Sequence, residues 1–292
     1  MVRVDFCLSY EGSLAEENKI NLYDVSRALT GFQRSLAITT HLILNDEVIV
    51  QAPYLKGAEI LASMPESGSW KIVATVLAGV YALGTASKDT PIGHVISSAY
   101  DYVISESLGF HVDYNKTLGQ QYDELKSQRE LKKIEQYRLD SVIDKCQASI
   151  KDMHRPIFAS GTAVRASITA AGVGFKSRFS QNFTSQTYDY INYSIRSAGE
   201  NEFSGVVSSY NSNTFKGRVY ISLFGRTVPF ELDLNARNTF EIGMIVNSLS
   251  SNAKKKNISE IKFRGFLIES RAGQVKSIIV TQVLSEAPLR EV

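Results

Sequence analysis

Cysteine is nearly absent. Cys7 and Cys146 are the only two in 292 residues, and they lie too far apart for a metal-ligand spacing or for the disulfide framework of a small secreted domain. Both are expected as buried thiols of a reducing compartment. Histidine is almost as scarce: His41, His94, His111 and His154 are dispersed, and none sits in an H-E-x-x-H or H-x-x-E-H frame. No catalytic zinc is legible, and neither metal nor cofactor is expected. There is no G-x-S-x-G elbow and no local Cys-His pair to activate a thiol nucleophile. An excess of one charge is missing too. With 32 Lys plus Arg against 30 Asp plus Glu, the formal net charge is +2, so any basic site must be local.

Long hydrophobic runs are also lacking. The strongest, Trp70 to Ala86, is interrupted by Lys71 and only reaches the lower limit of the roughly 17–25 residues a spanning helix needs. Its first half reads as a strand, so a buried segment is expected and no stable transmembrane span. The N-terminal run Met1 to Tyr10 carries Arg3 and Asp5 and lacks the apolar centre of a signal peptide, which makes the cytoplasm the expected location. No polar low-complexity tract interrupts a composition of 43% hydrophobic and 21% charged residues, so the chain should fold nearly throughout. At this length it exceeds what one core usually organises.

The patterns that are present predict an α+β protein in two parts. Val2, Val4, Phe6, Leu8 and Tyr10 alternate with polar residues, the period-two signature of a half-buried strand. Leu22, Val25, Leu29, Phe32 and Leu36 then recur at helical spacing to about Asn45. Lys56–Met64 and Trp70–Val76, joined by a Pro-Glu-Ser-Gly turn, read as a hairpin. The N-terminal part is thus a β-α-β-β unit. Long helices follow, one after Thr90-Pro91 up to Gly109 and one over Gln120–Met153 ending before Pro156. Alternation returns over Thr162–Ala171. The expected division is an N-terminal domain over 1–157, a connector over 158–200 with a short helix near Thr187–Ile195, and a C-terminal module over 201–292.

In that module, short strands are expected over 205–210, 216–223 and 227–232, a helix over Thr239–Ser251, and two more strands over 258–269 and 275–284. Five strands with a helix inserted between the third and fourth fit a small, OB-like β-barrel. The run G-V-V-S-S-Y-N-S-N-T-F-K-G-R-V-Y at 205–220, with G-R-T-V-P-F-E-L at 225–232 and I-K-F-R-G-F at 261–266, resembles the ends of uncharacterised bacterial proteins, and Y-E-G-S-L-A-E-E at 10–17 extends the resemblance. It implies a bacterial origin and a two-part layout, and no chemistry.

Candidate sites concentrate in the barrel. Lys216, Arg218, Arg226, Lys254, Lys255, Lys256, Lys262 and Arg264 could track a phosphate backbone if several share a face, with Tyr210, Phe215 or Tyr220 as stacking surfaces. Glu260-Ile261-Lys262, with Asp233 upstream, has the E-x-K spacing of metal-dependent nucleases. Ala171-Gly-Val-Gly-Phe-Lys-Ser177 has the residue types of a phosphate loop, but Phe175 separates glycine from Lys176 where the motif needs them adjacent. The favoured function is a non-catalytic binding or assembly protein, homo-oligomeric or bound to a protein partner, whose barrel engages nucleic acid or protein. The alternatives are a membrane-perturbing effector using the apolar 70–104 region and a nuclease using Asp233, Glu260 and Lys262.

Overall fold

The structure, a computed structural model, describes residues 2–63, 70–79, 92–114, 118, 134–254 and 260–284. The chain is a mixed α+β protein whose contacts divide it into two compact units, Met1–Asn192 and Tyr193–Val292.

The first unit is built on an antiparallel sheet. β1 (Val2–Glu11) is its centre, flanked by the hairpin β2 (Ala58–Ser63) and β3 (Lys71–Ala78) on one side and by β4 (Arg165–Gly172) and β5 (Phe175–Arg178) on the other, in the order β2-β3-β1-β4-β5. The alternation in β1 has the consequence expected of it: Val4, Phe6, Leu8 and Tyr10 are buried in the core. The core is covered by α1 (Leu22–Asn45), α2 (Ile92–Ser107) and α3 (Gln136–Met153), which pack on one another. α1 starts where the Asn21 side chain accepts the Asp24 amide, an N-cap, and stops at Asp46 in the left-handed conformation. It runs very close to α3, because a Cβ on Gly31 would lie 2.3 Å from the Ser149 carbonyl oxygen. Tyr100 of α2 packs edge-on against Phe6, and its hydroxyl meets Ser35 Oγ at 2.8 Å. The hydroxyl of Tyr10 donates to the Met153 carbonyl, so the polar ends of the buried tyrosines are partnered.

The expected hairpin is present, and its Met64–Ser69 turn lies outside the described residues, as do Thr90-Pro91, the 120–133 part of the expected long helix and residues 80–86 of the apolar run. The described part of that run forms β3, paired between β1 and β2. Among the described residues no helix is long and apolar enough to cross a membrane. Residues 158–192, expected as a connector, belong to the first unit: β4 pairs with β1 from Val4↔Gly172 to Glu11↔Arg165, and α5 (Ser185–Asn192) follows the short α4 (Arg155–Phe158) and β5. The glycine-containing 171–177 segment is the tight β4–β5 hairpin, with Ala171 opposite Lys176.

The second unit is a small barrel. The strands β7 (Asn201–Asn211), β8 (Lys216–Ile221), β9 (Arg226–Leu232), β10 (Glu260–Glu269) and β11 (Val275–Leu284) close in the order β7-β8-β9-β11-β10 and back to β7. β9–β11 is the parallel pair. A two-residue strand, β6 (Ile195–Arg196), adds to β10. α6 (Thr239–Ala253) stands between β9 and β10 in the chain, where the sequence pattern places a helix. Val207, Val219, Val228, Phe230, Leu232, Phe263 and Ile278 fill the interior. At the bulge in β7 between Val207 and Ser209, α6 completes the hydrogen bonding: the Val207 amide donates to Ser248 Oγ at 3.1 Å, and its carbonyl accepts from Asn252 Nδ2 at 3.0 Å.

Candidate binding surface

The basic residues singled out in the barrel occupy several environments. Arg218 lies on β8, 3% exposed and already engaged. Arg226 donates to the Val275 carbonyl at 2.6 Å, which ties β9 to the start of β11. Arg264 pairs with Glu202 across the β10–β7 ladder at 3.5 Å. Lys216 stands opposite Glu231 on β9. Lys262 is exposed on β10, and Lys254 is exposed just past α6; Lys255 and Lys256 lie outside the described residues. Lys216 is opposite Asn211 and Lys262 opposite Ser204, so the two sit about 23 Å apart along β7 at the usual strand rise. Among the described residues, Lys216 and Lys262 therefore do not belong to one compact cluster.

The aromatics divide similarly. Tyr210 stacks on Phe230 with an interplanar angle of 6°, and the Arg237 guanidinium lies 4.7 Å from the Phe215 ring centroid. Only Tyr220 of these three has a substantially open ring, 43% exposed on the outer face of β8. Asp233 does not meet Glu260. The Asp233 amide donates to the Val280 carbonyl, Val280 stands opposite Gly265, and Gly265 is five residues beyond Glu260, about 17 Å along β10. Glu260 instead accepts from Ser204 Oγ at 2.6 Å. Among the described residues no group of three or more His, Cys, Asp or Glu side chains could hold a metal.

The histidines and cysteines of the first unit are packed into the fold. His41 Nδ1 accepts from the Lys56 amide, and burial pushes its pKa down. His154 is buried between α3 and α5, with its ring nitrogens 2.9 Å from the Ile150 carbonyl and the Thr187 hydroxyl, and burial lowers its pKa to about 4. Cys146 is buried and its thiol is pushed up to about 12, which leaves it protonated and unreactive. Cys7 is half-buried, with its pKa raised chiefly by burial.

A surface that the charge pattern did not reveal lies on α6. Its inner side buries Ile245 and Ser248 against the barrel, and Glu241 turns back to accept the Val283 amide. At 100° per residue the opposite side carries Phe240, Gly243, Val246, Asn247 and Ser250, with no charged residue. Phe240 is 66% exposed and Val246 45%, and Leu234, on the turn that leads into the helix, is 76% exposed. A solvated helix face normally carries charge, so this one resembles a contact surface. The sequence does contain the signal: Glu241 is the helix's single ionisable residue, and Phe240 and Val246 lie off the Ile242–Ile245–Leu249 stripe.

Fold and surface define a two-unit protein, an antiparallel sheet under helices and a closed five-stranded barrel with a largely uncharged outer helix face. Residues 6–192, more than half of the chain, match the domain of unknown function DUF7946, and residues 199–284 match the family of unknown function DUF7947. The chain belongs to the DUF7946 family. No curated protein and no solved structure matches it.

Proposed function

We propose that the chain is a non-catalytic binding and assembly protein whose barrel is an OB-type module that takes a protein partner on the outer face of α6. The circular strand order, the parallel β9–β11 pair and the helix between the third and fourth strands support the OB assignment. The observation that carries the partner assignment is the contrast in exposure. Phe240, Val246 and Leu234 stand open to solvent, while Arg218 is buried, Arg226 holds a backbone carbonyl and Arg264 faces Glu202. A protein partner that supplies apolar side chains gains from covering such a face. A phosphate backbone needs several free cations on one track.

The test is a photo-cross-linking amino acid placed at position 240 and, separately, at position 262, in the full chain expressed in its native cell. A discrete protein adduct at position 240 that is absent at position 262 supports the reading. Nucleic-acid adducts at 262 with none of any kind at 240 overturn it in favour of a phosphate-binding barrel.

A further inference from the structure

We infer that the open edge of the N-terminal sheet is an interface between two copies of this chain, in which β2 pairs antiparallel with β2 of a second copy about a two-fold axis at Leu61. This reading concerns a different unit from the barrel and stands apart from the proposed function.

β2 ends the sheet: among the described strands it pairs only with β3. The Gly79 amide donates to the Gly57 carbonyl at 2.8 Å, and Gly57 lies opposite Gly79 in the continuation of the β2–β3 register. Peptide groups alternate along an antiparallel ladder, so those of Glu59, Leu61 and Ser63 face β3, and those of Ala58, Ile60 and Ala62 turn to the open edge. Natural edge strands are normally guarded by lysine, proline, a bulge or inward charge. The sequence Ala58-Glu-Ile-Leu-Ala-Ser63 has no lysine or proline, and its pairing with β3 is regular from end to end. Leu61 is 46% exposed on the sheet face away from the helices.

A second copy fits this edge because the strand is complementary to itself. With Leu61 on the axis, Leu61 meets Leu61 of the second copy in a non-hydrogen-bonded position, where opposed side chains approach most closely. Ile60 then opposes Ala62, and their outward amides and carbonyls satisfy one another. Glu59 opposes Ser63, whose hydroxyl can donate to the carboxylate, so no like charges face each other. The neighbouring register, with Ile60 on the axis, sets Glu59 against Leu61 and lacks this match. One ladder of this length buries less than a stable interface usually does. Val50 and Tyr54 are exposed apolar side chains on the segment that leads into β2.

Sedimentation equilibrium of the full chain tests the inference. Wild type is expected to sediment as a dimer at micromolar concentration. Leu61→Lys, which sets two like charges together on the axis, is expected to be monomeric. So is Ala62→Pro, which removes an outward amide and no bond to β3, and circular dichroism should match wild type for both variants. Leu61→Cys is expected to form a disulfide-linked dimer under mild oxidation, whereas wild type, with Cys7 and Cys146, and Glu59→Cys do not. A wild-type monomer, or a dimer that survives both Leu61→Lys and Ala62→Pro, overturns the inference; because the surface lysine leaves the fold intact, a misfolded proline variant alone does not decide the result.

Discussion

His154 shows how a single side chain couples this fold to pH. Its ring lies against Phe183 and Tyr188, with Nδ1–H donating to the Ile150 carbonyl and Nε2 2.9 Å from the Thr187 hydroxyl, whose own proton goes to the Thr184 carbonyl. Protonation would place a full positive charge in this buried site, which is what burial opposes. The folded-state pKa of about 4 is depressed below the ordinary value of about 6.5. The stabilisation is therefore complete above about pH 6.5, declines as pH falls and is spent near pH 4, amounting to about 3 kcal/mol in full. Urea denaturation of wild type between pH 7 and pH 4 should show this decline, and His154→Gln should flatten it, leaving the smaller contribution of His41. An unchanged slope in His154→Gln would contradict the assignment. Gly31 makes a steric argument of the same kind. Gly31→Ala forces a methyl group into the Ser149 carbonyl and should cost about 2 kcal/mol, visible as a lower denaturation midpoint.

At the scale of the element, α6 has two faces with different energetic meaning. Ile245→Ala removes a side chain buried in the barrel core and should cost about 3 kcal/mol. Phe240→Lys combined with Val246→Lys changes only the outer face and should alter stability by no more than about 0.5 kcal/mol in the same assay. If the outer pair costs as much as Ile245→Ala, that face is packed and does not await a partner. Most elements were legible because their signals are local: alternation in β1, helical spacing in α1, and the alternation of short strands with one helix in the barrel. The candidate site was less legible because its determinants are distant in sequence. Arg264 is paired with Glu202, and Arg226 is tied to a carbonyl on β11, both through strand pairings that no local pattern encodes. The 158–192 region misled for a related reason: β4 looks like an isolated strand until β1, at the other end of the unit, receives it.

At the scale of the whole molecule, the two units carry separate cores and match separate families. Damage to one core should remain in its unit. Gly31→Ala is expected to accelerate amide hydrogen exchange in α1, α3 and β1 while leaving β7–β11 unchanged, and Gly265→Ala, whose methyl group would lie 2.3 Å from the Ile279 carbonyl oxygen, is expected to do the reverse. Exchange rising in both units for either variant would show that they unfold as one. The central claim, a barrel that meets protein in preference to nucleic acid, is tested most directly by fluorescence anisotropy of a labelled mixed-sequence single-stranded oligonucleotide titrated with the full chain at about 50 and 200 mM salt. The account predicts no saturable binding at micromolar protein at either salt. Micromolar binding that weakens steeply at the higher salt and disappears in Lys262→Ala/Arg264→Ala would contradict it.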